Sequence, residues 1–223
     1  MDMKLNKYID HTLLKADATT AQIKELCAEA RQYDFASVCV NSCHVPLAAK
    51  ELEGSEVKVC CVVGFPLGAC LTGAKAFEAA LAVERGAREV DMVINIGAAK
   101  EGNWELVEQD IREVAEACHP GAILKVIIET CLLNEEEKIR MCEIVTEAEA
   151  DFIKTSTGFS SAGATFEDIE LFAKHVGKNV KIKAAGGIKS FEDAEKFISL
   201  GASRLGTSRL VSILKNSENK ENY

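Results

Sequence analysis

The sequence predicts a single-domain (β/α)8 barrel, and three observations carry that prediction. Short runs rich in Val and Ile alternate with longer segments whose apolar residues recur at i, i+3 and i+4; eight such pairs can be counted; and no Pro-, Gly- or Ser-rich linker divides them. The chain has 223 residues, which is short for a fold that typically takes about 250, so its loops must be brief.

In chain order, strands are expected near residues 7–12, 35–40, 57–63, 89–94, 123–129, 152–155, 180–184 and 204–206. Helices are expected between them, near 19–33, 45–52, 72–85, 104–118, 135–148, 166–175 and 191–200, with a last one starting at Leu210. Ser190 and Thr165 each stand three residues before an acid, Asp193 and Asp168, and so read as helix caps. Gly86, Gly177 and Gly201 fall where helices should stop and are expected to supply left-handed turns. The strand around Tyr8-Ile9-Asp10 has the weakest pattern, and without it seven units would form a doubly wound open sheet. Residues 1–215 are assigned to the barrel, and 216–223 to a polar tail ending in Tyr223 that could reach the barrel mouth but is better read as unpinned.

Composition narrows the function. The formal charge of −9 argues against a nucleic-acid surface, because phosphate backbones select basic patches. The N-terminus has no apolar signal core and no run of apolar residues is long enough for a membrane span, so a cytoplasmic enzyme with neither nucleic-acid nor membrane partners is expected. Nine cysteines, mostly inside apolar runs such as that of Cys39 and of Cys60-Cys61, read as free buried thiols. The Cys39 to His44 stretch looks like a zinc half-site with no second half, so metal is disfavoured.

The strongest chemical signal is charge where none belongs. Parallel strands covered on both faces should be nearly continuous apolar runs, yet Lys125, Lys154 and Lys183 interrupt three of them at intervals of 29 residues. If those strands are neighbours, the three ammonium groups enter one region. Each could be a stem lying on apolar surface with its head in water or on a carboxylate. Crowded together, they would disfavour one another's charge, so at least one is expected to titrate low and to serve as an amine nucleophile toward carbonyls. Asp91, alone in the Glu89 to Asn95 strand, is either a structural ion-pair partner or a proton relay for such an amine. Asp10, followed by His11 and Thr12, is a second candidate inward group. Gly186-Gly187 after the seventh strand and Gly206-Thr207-Ser208 after the eighth stand where barrels often hold a phosphate on backbone N–H groups. The loop from Gly64 to Gly68 is expected to be mainly a turn.

These segments together resemble the deoxyribose-phosphate aldolase family of class I aldolases. The resemblance runs from Ile9-Asp10-His11-Thr12 through Val62 to Gly68, Glu89 to Gly97, Lys125 to Thr130 and Asp151 to Phe159, and on to Lys183 to Ile188 and Arg204 to Ser208. It implies reversible cleavage of 2-deoxy-D-ribose 5-phosphate to D-glyceraldehyde 3-phosphate and acetaldehyde, in deoxyribonucleotide catabolism, with no metal or organic cofactor. On the same ground Lys154 matches the Schiff-base lysine and Asp91 with Lys183 the proton-relay pair. Gly186, Gly187, Gly206 and Ser208 match phosphate-binding positions, Lys125 matches a lysine lining the site, and Asp10 is expected near the substrate. Arg209 departs from the small residue many relatives carry, and either adds charge to the phosphate site or points outward. A homodimer is the expected assembly. A transaldolase-like barrel lyase, or a non-catalytic barrel that binds a sugar phosphate, would share parts of this pattern.

Overall fold

A computed structural model describes residues 5–212, and over them the chain is an eight-stranded parallel barrel closed by pairing of its first and last strands. The strands are β1 Ile9–Leu13, β2 Ser37–Asn41, β3 Lys58–Val63, β4 Glu89–Val93, β5 Ile123–Ile127, β6 Phe152–Lys154, β7 Lys181–Ala185 and β8 Ala202–Thr207. The helices are α1 Thr20–Gln32, α2 Val45–Glu51, α3 Thr72–Glu84, α4 Ile96–Lys100, α5 Trp104–Cys118, α6 Glu135–Glu147, α7 Phe166–His175 and α8 Phe191–Ser199. Residues 209–212 are helical and begin the segment expected from Leu210. The weak first strand is real: Asp10 pairs in register with Ser37 on one side and Gly206 on the other, which excludes the open sheet. The tail with Tyr223 lies outside the described residues. Among those described, no helix is long and apolar enough to cross a membrane.

Local chemistry sets the helix ends. Thr165 and Ser190 accept from the backbone N–H of Asp168 and Asp193, as their spacing implies. Thr19 with Gln22 and Asn134 with Glu137 complete reciprocal capping boxes at α1 and α6. Gly86 and Gly201 adopt φ of 114° and 117° after α3 and α8. Gly177 does not: its φ is not positive, and what demands glycine is close approach, since a Cβ there would stand 2.3 Å from Thr146 Cγ2. The left-handed stops of α1 and α6 fall instead on Asp34 and Glu149, with φ of 52° and 58°.

Each strand alternates between two environments. Val90 and Met92 of β4, Leu124 and Val126 of β5, Ile153 of β6 and Ile182 and Ala184 of β7 face the helices and form the main core with residues such as Ile111, Val114, Met141 and Phe172. The intervening positions face the barrel interior. There a small apolar cluster of Leu14, Cys39, Cys60 and Val62, with Phe65 packed against it, occupies one side, and ionic groups share the rest with Val93, Ile127, Phe152 and Ala185. Parallel strands were expected to be apolar on both faces; here only the helix-facing one is uniformly so.

Glu149 is exposed and holds a left-handed backbone that costs an L-residue roughly 1–2 kcal/mol. Glu149→Gly is therefore expected to raise unfolding free energy by about 0.5–1 kcal/mol once glycine's extra chain entropy is subtracted, read as a higher urea midpoint with an unchanged slope.

Candidate active site

The barrel register brings the three lysines together. Lys154 of β6 stands opposite Lys183 of β7, and Lys125 of β5 opposite Asp91 of β4. All three converge on Asp91. Its Oδ2 accepts from Lys154 Nζ and Lys183 Nζ, each at 2.7 Å, and its Oδ1 accepts from Lys125 Nζ at 2.9 Å and from the Cys60 thiol at 3.1 Å. Lys183 also lies 2.5 Å from Asp10 Oδ2, while Lys125 lies 2.6 Å from Glu89. Arg204 of β8 completes the network, donating to Asp10 at 2.6 Å and to Glu89 at 2.8 Å. Ser37 Oγ donates to Asp10 Oδ1.

Four cations thus share three carboxylates away from water. Burial pushes Asp91 toward the neutral form, but the ammonium groups of Lys125, Lys154 and Lys183 outweigh it and hold its carboxyl well below the usual range. Asp10 is likewise held low against burial by Lys183, Arg204 and Lys125. Burial works to lower Lys125 and Lys183, yet the surrounding carboxylates prevail and raise both, Lys125 chiefly through Asp91 and Lys183 chiefly through Asp10. Crowding was expected to depress a lysine; at Lys125 and Lys183 it does not, because attraction to the adjacent carboxylates outweighs burial and the repulsion of like charge.

Only one of the three lysines reaches open space. Lys154, 3% exposed, lines a cavity of about 610 Å³ at the carboxyl ends of the strands. Lys125 and Asp10, expected against substrate, are fully buried in the ionic network and are not among the residues that line it. Asp91 and Lys183 are also fully buried and communicate with the cavity through Lys154.

At the cavity's other end lie Gly186, Gly187, Gly206 and Ser208 with Lys15, Lys189 and Arg209. Gly186 and Gly187 have φ of 72° and 76°, and a Cβ on Gly187 would meet Ala164 O at 2.8 Å, so this turn needs glycine twice over. Thr207 Oγ1 accepts from the N–H groups of Arg209 and Leu210 and starts the last helix. Arg209 is exposed, stands at the start of the last helix and lines the cavity. A glycine turn, a helix start and three basic side chains thus line this part of the cavity, a set whose charge suits an anion.

Cys39, Cys60 and Asp91 place ligand atoms within 4.8 Å of one another. They are a poor cation site, because Asp91 already carries three ammonium groups. Cys39 is buried and Cys43 exposed, so the sequence half-site does not converge on one point. Glu89 and Arg204 were missed by the sequence reading, although each is a charge inside an apolar strand and carries the same signal as Lys125. Lys15 gave no signal; Thr157 and Phe159 lay within the segment that carries the family resemblance but were assigned no role.

The network ties stability to pH with a definite sign. Asp10 and Asp91, lowered in the fold, contribute stability above about pH 4 and lose it as pH falls through their folded values. Lys125 and Lys183, raised in the fold, contribute fully below about pH 10.4 and lose it as pH rises through theirs. Urea titrations should give a plateau between these limits. Lys125→Met should cost about 3–5 kcal/mol at neutral pH by stranding buried carboxylates, with a shallower loss on the acid side.

Comparison with known proteins agrees with this geometry. The model of the DeoC/LacD family aldolases matches residues 4–209. The deoxyribose-phosphate aldolase of Streptococcus sanguinis strain SK36 is 56% identical over 221 residues, covering 99% of this chain and 100% of that one. That of Carboxydothermus hydrogenoformans is 56% identical over 223 residues, covering 99% of this chain and 98% of that one. The tetrameric deoxyribose phosphate aldolase structure from Aeropyrum pernix superposes with a TM-score of 0.87 at 30% identity, covering 95% of this chain and 91% of that one. With a family model spanning residues 4–209 and relatives 56% identical over nearly the whole chain, on a barrel whose mouth holds a lysine amine against a buried carboxylate, the chain belongs to the DeoC/LacD family of aldolases.

Proposed function

We propose that the protein cleaves 2-deoxy-D-ribose 5-phosphate reversibly to D-glyceraldehyde 3-phosphate and acetaldehyde, through an imine on Lys154. The observation that carries this reading is that Lys154 alone of the three clustered lysines opens onto the cavity, with its amine 2.7 Å from a carboxylate that a second lysine shares.

In the cleavage direction the phosphate occupies the end formed by Gly186, Gly187, Gly206 and Ser208, aided by Lys189 and Arg209, and the open-chain aldehyde reaches Lys154. The neutral amine adds to C1 and water leaves, giving a protonated imine. Removal of the C3 hydroxyl proton lets the C2–C3 pair flow into the imine; the bond breaks, glyceraldehyde phosphate departs and an enamine stays on Lys154. Protonation at C2 and hydrolysis release acetaldehyde and the free amine. Asp91, kept ionised, stabilises the cationic imine. With the ammonium of Lys183 it makes a relay that can pass protons to and from the reacting end. Lys125, Asp10, Glu89 and Arg204 hold that pair in place without touching substrate.

The transaldolase-like and purely binding alternatives differ in what they trap. Borohydride added with acetaldehyde should convert Lys154 to N-ethyl-lysine, located by peptide mass mapping; folded protein that gains no such adduct refutes the aldolase reading. Lys154→Ala should abolish turnover, whereas a lysine acting only on charge would leave residual catalysis and weaker binding. We also propose a cytoplasmic homodimer, with pairing covering Leu71, Phe77 and Leu81, which are exposed at the start of and along α3. A monomer by sedimentation velocity would remove that proposal.

A further inference from the structure

Glu129 lies just past the end of β5, and its geometry is unusual on two counts. Its backbone is left-handed, with φ 53° and ψ 66°, a region that costs any residue with a Cβ. Its carboxylate is 2% exposed, yet it is absent from the ionic network around Asp91. The backbone pairing shows why the turn is there. Ile128 N donates to Lys154 O, but Thr130 N donates to Thr155 O, so two residues advance after β5 while one advances after β6. Glu129 is the extra residue of a bulge, a device that re-aims a side chain beside a site.

The side chain is aimed at Thr157. Glu129 Oε2 accepts from Thr157 Oγ1 at 2.5 Å, and Oε1 accepts from Thr157 N at 3.2 Å. Thr157 Oγ1 in turn accepts from Phe159 N at 3.0 Å. One carboxylate therefore fixes the turn that follows Lys154 by three residues, and that turn presents Phe159. Phe159 shares the cavity wall with Lys154 and Thr157, and its ring meets Phe65, from the loop after β3, edge to face at 5.3 Å between centroids. Phe65 also packs against the apolar cluster of Leu14, Cys39, Cys60 and Val62 inside the barrel. The two rings join the loops that follow β3 and β6, so they bridge the mouth beside Lys154. A glycine at position 129 would take the left-handed backbone without strain; the strain is accepted where a carboxylate is needed.

We propose that Glu129 is a positioning residue for the aldol reaction, acting through Thr157 to hold Phe159 against Phe65 as an aromatic roof beside Lys154. It rests on the imine chemistry proposed above and assigns Glu129 no proton to move. Because Gly186, Gly187, Gly206 and Ser208, which the proposed function gives to the phosphate, belong to the loops after β7 and β8 while the clamp holds Phe159 beside Lys154, loss of the clamp falls on the reacting end: kcat drops while KM for the sugar phosphate stays close to that of the wild type.

The test is steady-state cleavage of 2-deoxyribose 5-phosphate by Glu129→Ala, Glu129→Gln, Thr157→Val, Phe159→Ala and the Glu129→Ala/Thr157→Val double variant, with folding checked by circular dichroism. Glu129→Ala should lose roughly tenfold to a hundredfold in kcat. Glu129→Gln, which keeps one acceptor oxygen, should recover most of that loss. Thr157→Val and Phe159→Ala should each lower kcat, and the double variant should be no worse than the poorer single one, because both break the same link. Glu129→Gly separates clamp from turn: its melting temperature should hold as well as that of Glu129→Ala or better, with the same loss of kcat. Wild-type kcat in folded Glu129→Ala, multiplicative losses in the double variant, or a rise in KM matching the fall in kcat would overturn the proposal. If Glu129→Ala does not fold, the Gln and Thr157→Val variants decide alone, and wild-type kcat in both overturns it. Borohydride trapping of acetaldehyde on wild-type Lys154 is run alongside: its failure refutes the aldolase reading, whereas trapping with wild-type behaviour in every variant refutes only the role of Glu129.

Discussion

Asp91 is the point on which the barrel interior depends. A carboxylate without water is costly, and three ammonium groups without water are costlier still; they are tolerable only because each compensates the others at hydrogen-bonding distance. Everything around follows from closing that arrangement. Lys125 needs Glu89 as well as Asp91, Lys183 needs Asp10, and Arg204 spans Asp10 and Glu89, so β1, β4, β5, β6, β7 and β8 are linked through one set of charges. Orientation of the Lys154 amine is thus a property of the whole ring of strands. In the chemistry proposed for it, an amine held this way is aligned before any substrate arrives, which is where much of the advantage of an enzymic amine over a free one lies.

The fold was legible because a (β/α)8 chain repeats one rule eight times. Helices α5 and α7 began and ended where their apolar spacing and caps placed them, and most other boundaries moved by a residue or two. What escaped has identifiable causes. The helix Ile96–Lys100 is a single capped turn, too short to show a period. Gly177 was read for its φ when its reason was Thr146 pressing on its Cα. Asp34 and Glu149 stop their helices in a conformation that pattern reasoning reserves for glycine.

The site was legible where chemistry contradicts its surroundings. A lysine in a Val- and Ile-rich strand stands out in one dimension, so Lys125, Lys154, Lys183 and Asp91 could be found, and Glu89 and Arg204 carry the same mark. Sequence spacing could not say which lysine faces open space, because that depends on barrel depth: Lys125 is level with Phe152, two positions before Lys154 on β6. Nor could it anticipate that neighbouring carboxylates raise Lys125 and Lys183 rather than leave them crowded by like charge. Glu129 was placed at the end of the fifth strand, which the structure stops at Ile127, and Phe159 sits in a loop, where no periodicity exists to be broken.

The strict alternation of each strand between helix-facing and inward positions has a consequence for inheritance. Val90, Met92, Leu124, Val126 and Ile153 belong to the packed shell, while Glu89, Asp91, Lys125 and Lys154 belong to the ionic interior, and the two sets touch different neighbours. Drift that reshuffles aliphatic residues between barrel and helices leaves the charges undisturbed, and a new reaction could arise by altering inward positions on a shell that still folds. Neighbouring letters along one strand thus answer to separate histories.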